Sequence, residues 1–110
     1  MTTREQAAAQ SIEAFNATFI KALTEPARAA LVRELLLYGR LDVGSLADKV
    51  PQDRSVVARH LQVLERAGMV RSMKEGRHTF YSIDGDGVLR QLEELTELFR
   101  KLVPVCCPTK

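Results

Sequence analysis

Residues 42–68, DVGSLADKVPQDRSVVARHLQVLERAG, decide the fold. They read as two short helices joined by a tight turn. Asp42 is placed to cap the first helix, and Leu46, Ala47 and Val50 form its inner face. Pro51 should stop that helix, because a proline pushes the residue before it out of α conformation. Asp53 then caps the second helix, its carboxylate accepting a backbone N–H and complementing the positive end of the helix dipole. Val57, Leu61 and Leu64 follow at helical spacing and must face a core. Gly68 ends the helix, since glycine takes the left-handed conformation without strain. The stretch is a helix-turn-helix.

The opposite face of the second helix has the composition of a DNA reader. With Val57, Leu61 and Leu64 turned inward, Arg54, Ser55, Val56, Ala58, Arg59 and Gln62 point outward or lie along the flanks. A major groove admits a helix with donors for base edges and small residues where backbones approach. Arg59 has the reach for guanine O6 and N7, and Val56 suits a thymine methyl. The plainer alternative is an amphipathic helix with a solvated face, and the segments on either side weigh against it.

Downstream, residues 69–83, MVRSMKEGRHTFYSI, alternate in two runs broken at Glu75-Gly76. That pattern predicts a two-stranded hairpin with Lys74, Gly76 and Arg77 at a basic tip. A hairpin directly after a recognition helix is a wing, able to lay Lys74 and Arg77 along a phosphate backbone. A plain surface hairpin is the competing reading. Residues 86–103 then form a long helix with Leu89, Leu92, Leu95, Leu98 or Phe99, and Leu102 at three- and four-residue steps. So apolar a seam on a small domain calls for a partner helix, most simply that of a second copy; serving as intrachain core is the alternative.

Upstream, Thr2 to Leu23 reads as one helix. Thr2 and Glu5 have capping-box spacing, and Ala8, Ile12, Phe15, Phe19 and Leu23 form its apolar face. Thr24 to Tyr38 is a second helix, with Pro26 in its first turn and Gly39 just past its end. Ala30, Leu31, Leu35 and Tyr38 are its expected buried side, thickened by Leu36 and Leu37.

The 110 residues support one domain, with residues 1–103 as a winged helix-turn-helix DNA-binding and dimerisation unit and 104–110 as a tail. The net charge of +2 says little, but its distribution says more. Residues 52–79 carry six Arg/Lys against three acids, and residues 84–103 carry five acids against three bases. The basic segment coincides with the helix-turn-helix, as phosphate contacts require. No signal peptide or membrane-spanning run is evident, so a cytoplasmic location is expected and the two cysteines should be thiols. No cofactor is required. An enzyme is the least favoured class, for want of a third polar partner for either cysteine, a phosphate loop or a carboxylate pair.

The element order, together with ALTEPARAALVREL, DVGSLADKV and SVVARHLQVLERAGMVRSMKEGRHTFYSI, resembles the ArsR/SmtB family of bacterial metal- and metalloid-sensing repressors. The resemblance covers roughly residues 19–103. It implies a mainly α fold with a β-hairpin wing, dimerised through first and last helices and repressing a double-stranded operator until an inducer binds. Carried over by position, it implies Arg54, Ser55, Val56, Arg59 and His60 as recognition residues, Gln62 beside them, and Lys74 and Arg77 in the wing. Two inducer sites used in such families lack their ligands here. Residues 41–45 hold no thiol, and residues 86–103 hold no histidine. His60 and His78, the chain's two histidines, both belong to the DNA-binding half.

Cys106-Cys107 remains, in Val103-Pro104-Val105-Cys106-Cys107-Pro108. Adjacent thiols are close by connectivity, with Cα atoms ~3.8 Å apart. Thiophilic ions favour such a pair, whereas structural zinc needs four ligands at wider spacing. Trivalent arsenic fits better: a methylated arsenical needs two thiolates, arsenite three, the third from the other chain or a small thiol. Antimonite is a further candidate inducer. The alternatives are a redox or polysulfide switch on the same thiols, incidental cysteines, a winged-helix protein-interaction module, and a thiol carrier of metalloids.

Overall fold

The computed structural model describes residues 3–15 and 18–106; for Ile12, Ala14, Phe15, Thr18 and Cys106 it gives the backbone course alone. In chain order the elements are α1 (Arg4–Phe15), α2 (Thr18–Leu23), α3 (Pro26–Tyr38), β1 (Arg40–Asp42), α4 (Val43–Ala47), α5 (Arg54–Arg66), β2 (Val70–Glu75), β3 (His78–Ile83) and α6 (Gly85–Cys106). This is a winged helix-turn-helix, as the sequence implied.

The caps around the helix-turn-helix form as the sequence dictates. The Asp42 carboxylate accepts the Ser45 N–H at 2.8 Å, and that of Asp53 accepts the Val56 N–H at 3.0 Å. Leu46, Val57, Leu61 and Leu64 are fully buried, joined by Leu31, Leu35, Phe19, Ala22, Met69, Val70 and Tyr81 in one core. Gly68 sits at φ +79, with its N–H on the Glu65 carbonyl and the Met69 N–H on that of Leu64. Those two bonds make a Schellman motif that turns the chain from α5 into the wing. Pro51 is not what ends α4: the helix stops at Ala47, and residues 48–50 form the turn.

The N-terminal half departs in part from the expectation. The stretch expected as a first helix is helical over Arg4–Phe15 and over Thr18–Leu23, with residues 16 and 17 outside the described residues; α1 packs on α6, while α2 packs on α3 and α5. Thr2 also lies outside the described residues, and a capping box stands one residue later. Thr3 Oγ1 accepts the Gln6 N–H at 3.2 Å and Gln6 Oε1 accepts the Thr3 N–H at 2.9 Å. Ala7 and Ala22 are buried in place of Ala8 and Leu23; Ile12 and Phe15, also expected there, have side chains outside the description. Helix α3 begins at Pro26, capped by Glu25, rather than at Thr24, and its buried residues are Leu31 and Leu35; Leu36, Leu37 and Tyr38 are exposed. Tyr38 instead takes the Lys49 ammonium over its ring, 4.3 Å from the centroid.

The hairpin belongs to a three-stranded antiparallel sheet in the order β1-β3-β2, with Leu41 opposite Tyr81 and Ser72 opposite Tyr81 from the other side. Three residues of β1 are too few to show strand alternation in the sequence. The two-residue tip is Gly76-Arg77, with positive φ confined to Gly76, the type II′ pattern. Finally, α6 runs beyond Val103, through Pro104 to Cys106. Within a last turn, proline forfeits one bond to the Arg100 carbonyl without ending the helix.

Candidate nucleic-acid interface

Helix α5 presents Ser55, Arg59 and Gln62 along one line opposite Val57, Leu61 and Leu64, all three outer residues exposed. The spacing that buries the second set therefore displays the first. The same line runs on to Arg66 in the last turn, a residue the sequence reading left out although it continues the three- and four-residue steps.

The other recognition candidates are placed differently. Val56 is half-buried on the flank. Arg54 is exposed but folds back over α4, its Nη2 3.0 Å from where a Cβ on Gly44 would stand. His60 is half-buried on the flank toward α2 and α3, its Nδ1 3.5 Å from Arg28 Nη1. Arg28 also donates from Nε to the Ala22 carbonyl (3.0 Å) and from Nη2 to that of Lys21 (3.1 Å), tying the end of α2 to α3. His60 thus belongs to a helix-packing joint rather than to the reading line.

The wing is held to the reader. Ser72 Oγ donates to Glu65 Oε2 at 2.7 Å, and Lys74, two residues on, shares Ser72's face of the sheet, the face toward α5. Arg77 is at the exposed tip. On the other sheet face Arg40 pairs with Glu75 at 2.6 Å and lies 4.1 Å over the Phe80 ring, while His78 Nδ1 is 3.2 Å from Asp42 Oδ2. Lys74 is on the sheet face toward α5 and Arg77 is at the tip, whereas His78 is engaged with the helix-turn-helix through Asp42 on the other face.

The titrating groups follow these contacts. Hydrogen bonds from the Ser45 hydroxyl and N–H, with His78 nearby, hold the Asp42 carboxyl below its ordinary value. The Val56 N–H and the Ser55 hydroxyl do the same for Asp53, helped by Arg59. Burial pushes the Tyr81 phenol up, and the Glu65 carboxylate adds to it.

The far end of the reader is locked to α6. The Asp84 N–H donates to the Met69 carbonyl (2.9 Å), the Gly87 N–H to Asp84 Oδ1 (3.0 Å), and Gln91 Nε2 to the Ala67 carbonyl (3.3 Å). A Cβ on Gly87 would stand 2.5 Å from the Gly68 carbonyl oxygen, so this approach requires glycine. At its other end α6 packs on α1, burying Leu102 and Ala7, with a cleft of about 180 Å³ between them lined by Arg4, Ser11, Phe99 and Val105. Cys106 closes α6, its side chain outside the description, and Cys107 lies outside the described residues. Among the described residues no group of three or more His, Cys, Asp or Glu is placed to hold a metal ion, and no helix is long and apolar enough to cross a membrane.

Comparison with known proteins gives the same picture. Residues 25–72 match the family described as bacterial regulatory protein, arsR family. An uncharacterized HTH-type transcriptional regulator of Methanocaldococcus jannaschii is 30% identical over 82 residues, 74% of this chain and 92% of that protein. The crystal structure of a possible transcriptional regulator for arsenical resistance superposes with a TM-score of 0.64 at 34% identity, covering 84% of this chain and 96% of the other. The homodimeric winged helix-turn-helix DNA-binding domain of a possible ArsR-family regulator from Mycobacterium bovis matches with a TM-score of 0.64 at 25% identity, over 92% and 91% of the two chains.

Proposed function

Because this chain belongs to the ArsR family of bacterial regulatory proteins and is a DNA-binding transcriptional regulator, we propose that it is a homodimeric repressor released from its operator by a trivalent arsenical bound at Cys106 and Cys107. The observation carrying the DNA half is the exposed line Ser55, Arg59, Gln62 on α5, with Lys74 on the wing face toward α5 and Arg77 at the wing tip. In this reading Arg59 and Gln62 address base edges, with Arg to guanine and Gln to adenine the geometrically favoured pairs. Ser55 and the wing cations take phosphates. Arg54, Val56 and His60 support the helix from its flanks.

Three observations support the inducer half. Cys106, the first of the pair, ends the same helix whose beginning is bonded to the C-terminus of the reader. The pair's chemistry suits a pyramidal thiophilic centre: two thiols replace two hydroxyls of a methylated trivalent arsenical, their protons leaving with the hydroxyls as two waters. The similar structure described for arsenical resistance is a third. A shift of α6 would carry Asp84, Gly87 and Gln91 with it and retilt α5, and a coupling of ~1–3 kcal/mol is the usual scale for such linkage.

A reporter placed behind the native promoter tests this in cells. Arsenite or methylarsenite should raise expression with the wild-type protein, while Cys106→Ser and Cys107→Ser should keep the promoter repressed. Derepression by polysulfide or oxidant, with arsenicals silent, would assign the same thiols to redox sensing instead.

A further inference from the structure

Arg33, Arg40, Arg100 and His78 each lie within ion-pair distance of an acid: Glu34, Glu75, Glu97 and Asp42. The other described lysines and arginines have no such pair, and four of them, Arg59, Arg66, Lys74 and Arg77, stand exposed on the outer line of α5 or on the wing. An acid already seated on a guanidinium competes with a phosphate for it, so these four are free to meet DNA. Three of the four are named in the proposed interface. Arg66 is not.

Its position is defined. Arg66 continues the outer line of α5, seven residues and so about 10 Å along the axis beyond Arg59. Its neighbour Glu65, the acid best placed to neutralise it, is committed elsewhere, its carboxylate accepting from Ser72 on the wing. That contact holds the last turn of α5, to which Arg66 belongs, against the hairpin, with Lys74 further out on the wing face toward α5. A recognition helix reads bases mainly through its first turns, and its far end rises toward the groove edge. There the ligand within reach is the phosphodiester backbone.

We infer that Arg66 is a further DNA-binding residue, clamping a backbone phosphate between the reading helix and the wing. It contributes affinity without sequence preference and fixes the depth to which α5 enters the groove. The inference rests on the DNA-binding reading but is independent of the inducer.

The test is the salt dependence of binding by the full chain, followed by fluorescence anisotropy on its native promoter fragment and on a scrambled one. Arg66→Ala should weaken both complexes by the same factor and lower the slope of log K against log salt by about 1.8, the share of two phosphates, one for each protomer of the dimer. Arg66→Lys should restore the slope, since a phosphate clamp needs the charge more than the fork. A residue that merely neutralises the helix C-terminus would lower the melting temperature of free protein and leave the slope untouched. An unchanged slope in Arg66→Ala overturns the inference. So does a loss confined to the promoter sequence, which would make Arg66 a base reader. Wild type that binds neither fragment would overturn the DNA-binding reading with it.

Discussion

At the scale of single residues, two aspartates set where the helix-turn-helix begins each helix, and both are held in the charged form by the bonds that make them caps. A carboxylate whose folded value lies below the ordinary 3.8 adds stability that is fully present above that value and lost as pH falls through the folded one. Thermal melts should therefore be insensitive to these groups at neutral pH and fall below about pH 4. Asp53→Asn, which keeps a capping oxygen without a charge, should flatten that acid limb; an unaltered limb would put the acid sensitivity elsewhere. Arg59→Ala tests the reading line at this scale. It should cost roughly 1–3 kcal/mol on the promoter and broaden the selected sequence at one position, with the melting temperature unchanged. Uniform weakening on all DNA would make Arg59 a phosphate contact. These residues were legible because caps and amphipathic spacing are local. His60 was not: the Arg28 that holds it is thirty-two positions away in the chain, a separation over which no periodicity reports.

Elements show where local reading ran out. Both helices of the helix-turn-helix, the wing and the terminal helix could be placed from periodicity and punctuation, since each has strong stops or a clear apolar face. Strand β1 gave no signal in three residues, and it exists because β3 offers it a free edge. Leu36 and Leu37 looked like core because sequence shows hydrophobicity and not which side of α3 the sheet occupies; they are 68% and 60% exposed. The seating of α6 on the end of α5 was also illegible, because Gly87 is just one residue of the expected terminal helix until the Gly68 carbonyl is found against it. Gly87→Ala should force that contact apart, costing about 1–3 kcal/mol by urea melts and weakening DNA binding, although residue 87 touches neither DNA nor the cysteines. Full stability and affinity in this variant would show that the joint is loose.

The whole molecule is longer than a chain of this length should be. Its radius of gyration is 17.3 Å, against about 13 Å for a compact 110-residue domain, and its longest dimension is 57 Å. The accessible surface is 7586 Å², where about 6,100 Å² is usual for this mass. The surplus follows from α6, whose far half extends past the winged core beside α1 and leaves Leu89, Leu92 and Val103 about half exposed. That surplus, roughly 1,500 Å², is of the size one partner contributes to an obligate homodimer interface of about 2,000–5,000 Å² in total. Sedimentation should show a dimer at micromolar concentration. Leu92→Glu, at a position the single chain leaves open, should give a folded monomer with weak operator binding. A monomeric wild type would remove the dimer.

The central claim joins the two ends of α6, thiols at one and the reader at the other. Its most direct test is the anisotropy of one operator complex titrated with methylarsenite, for wild type and for the double variant Cys106→Ser/Cys107→Ser. The wild-type complex should dissociate at lower methylarsenite than arsenite, because two thiolates complete the coordination of the methylated form, and the double variant should stay bound throughout. A double variant that releases DNA at the wild-type concentration would contradict the assignment of Cys106 and Cys107.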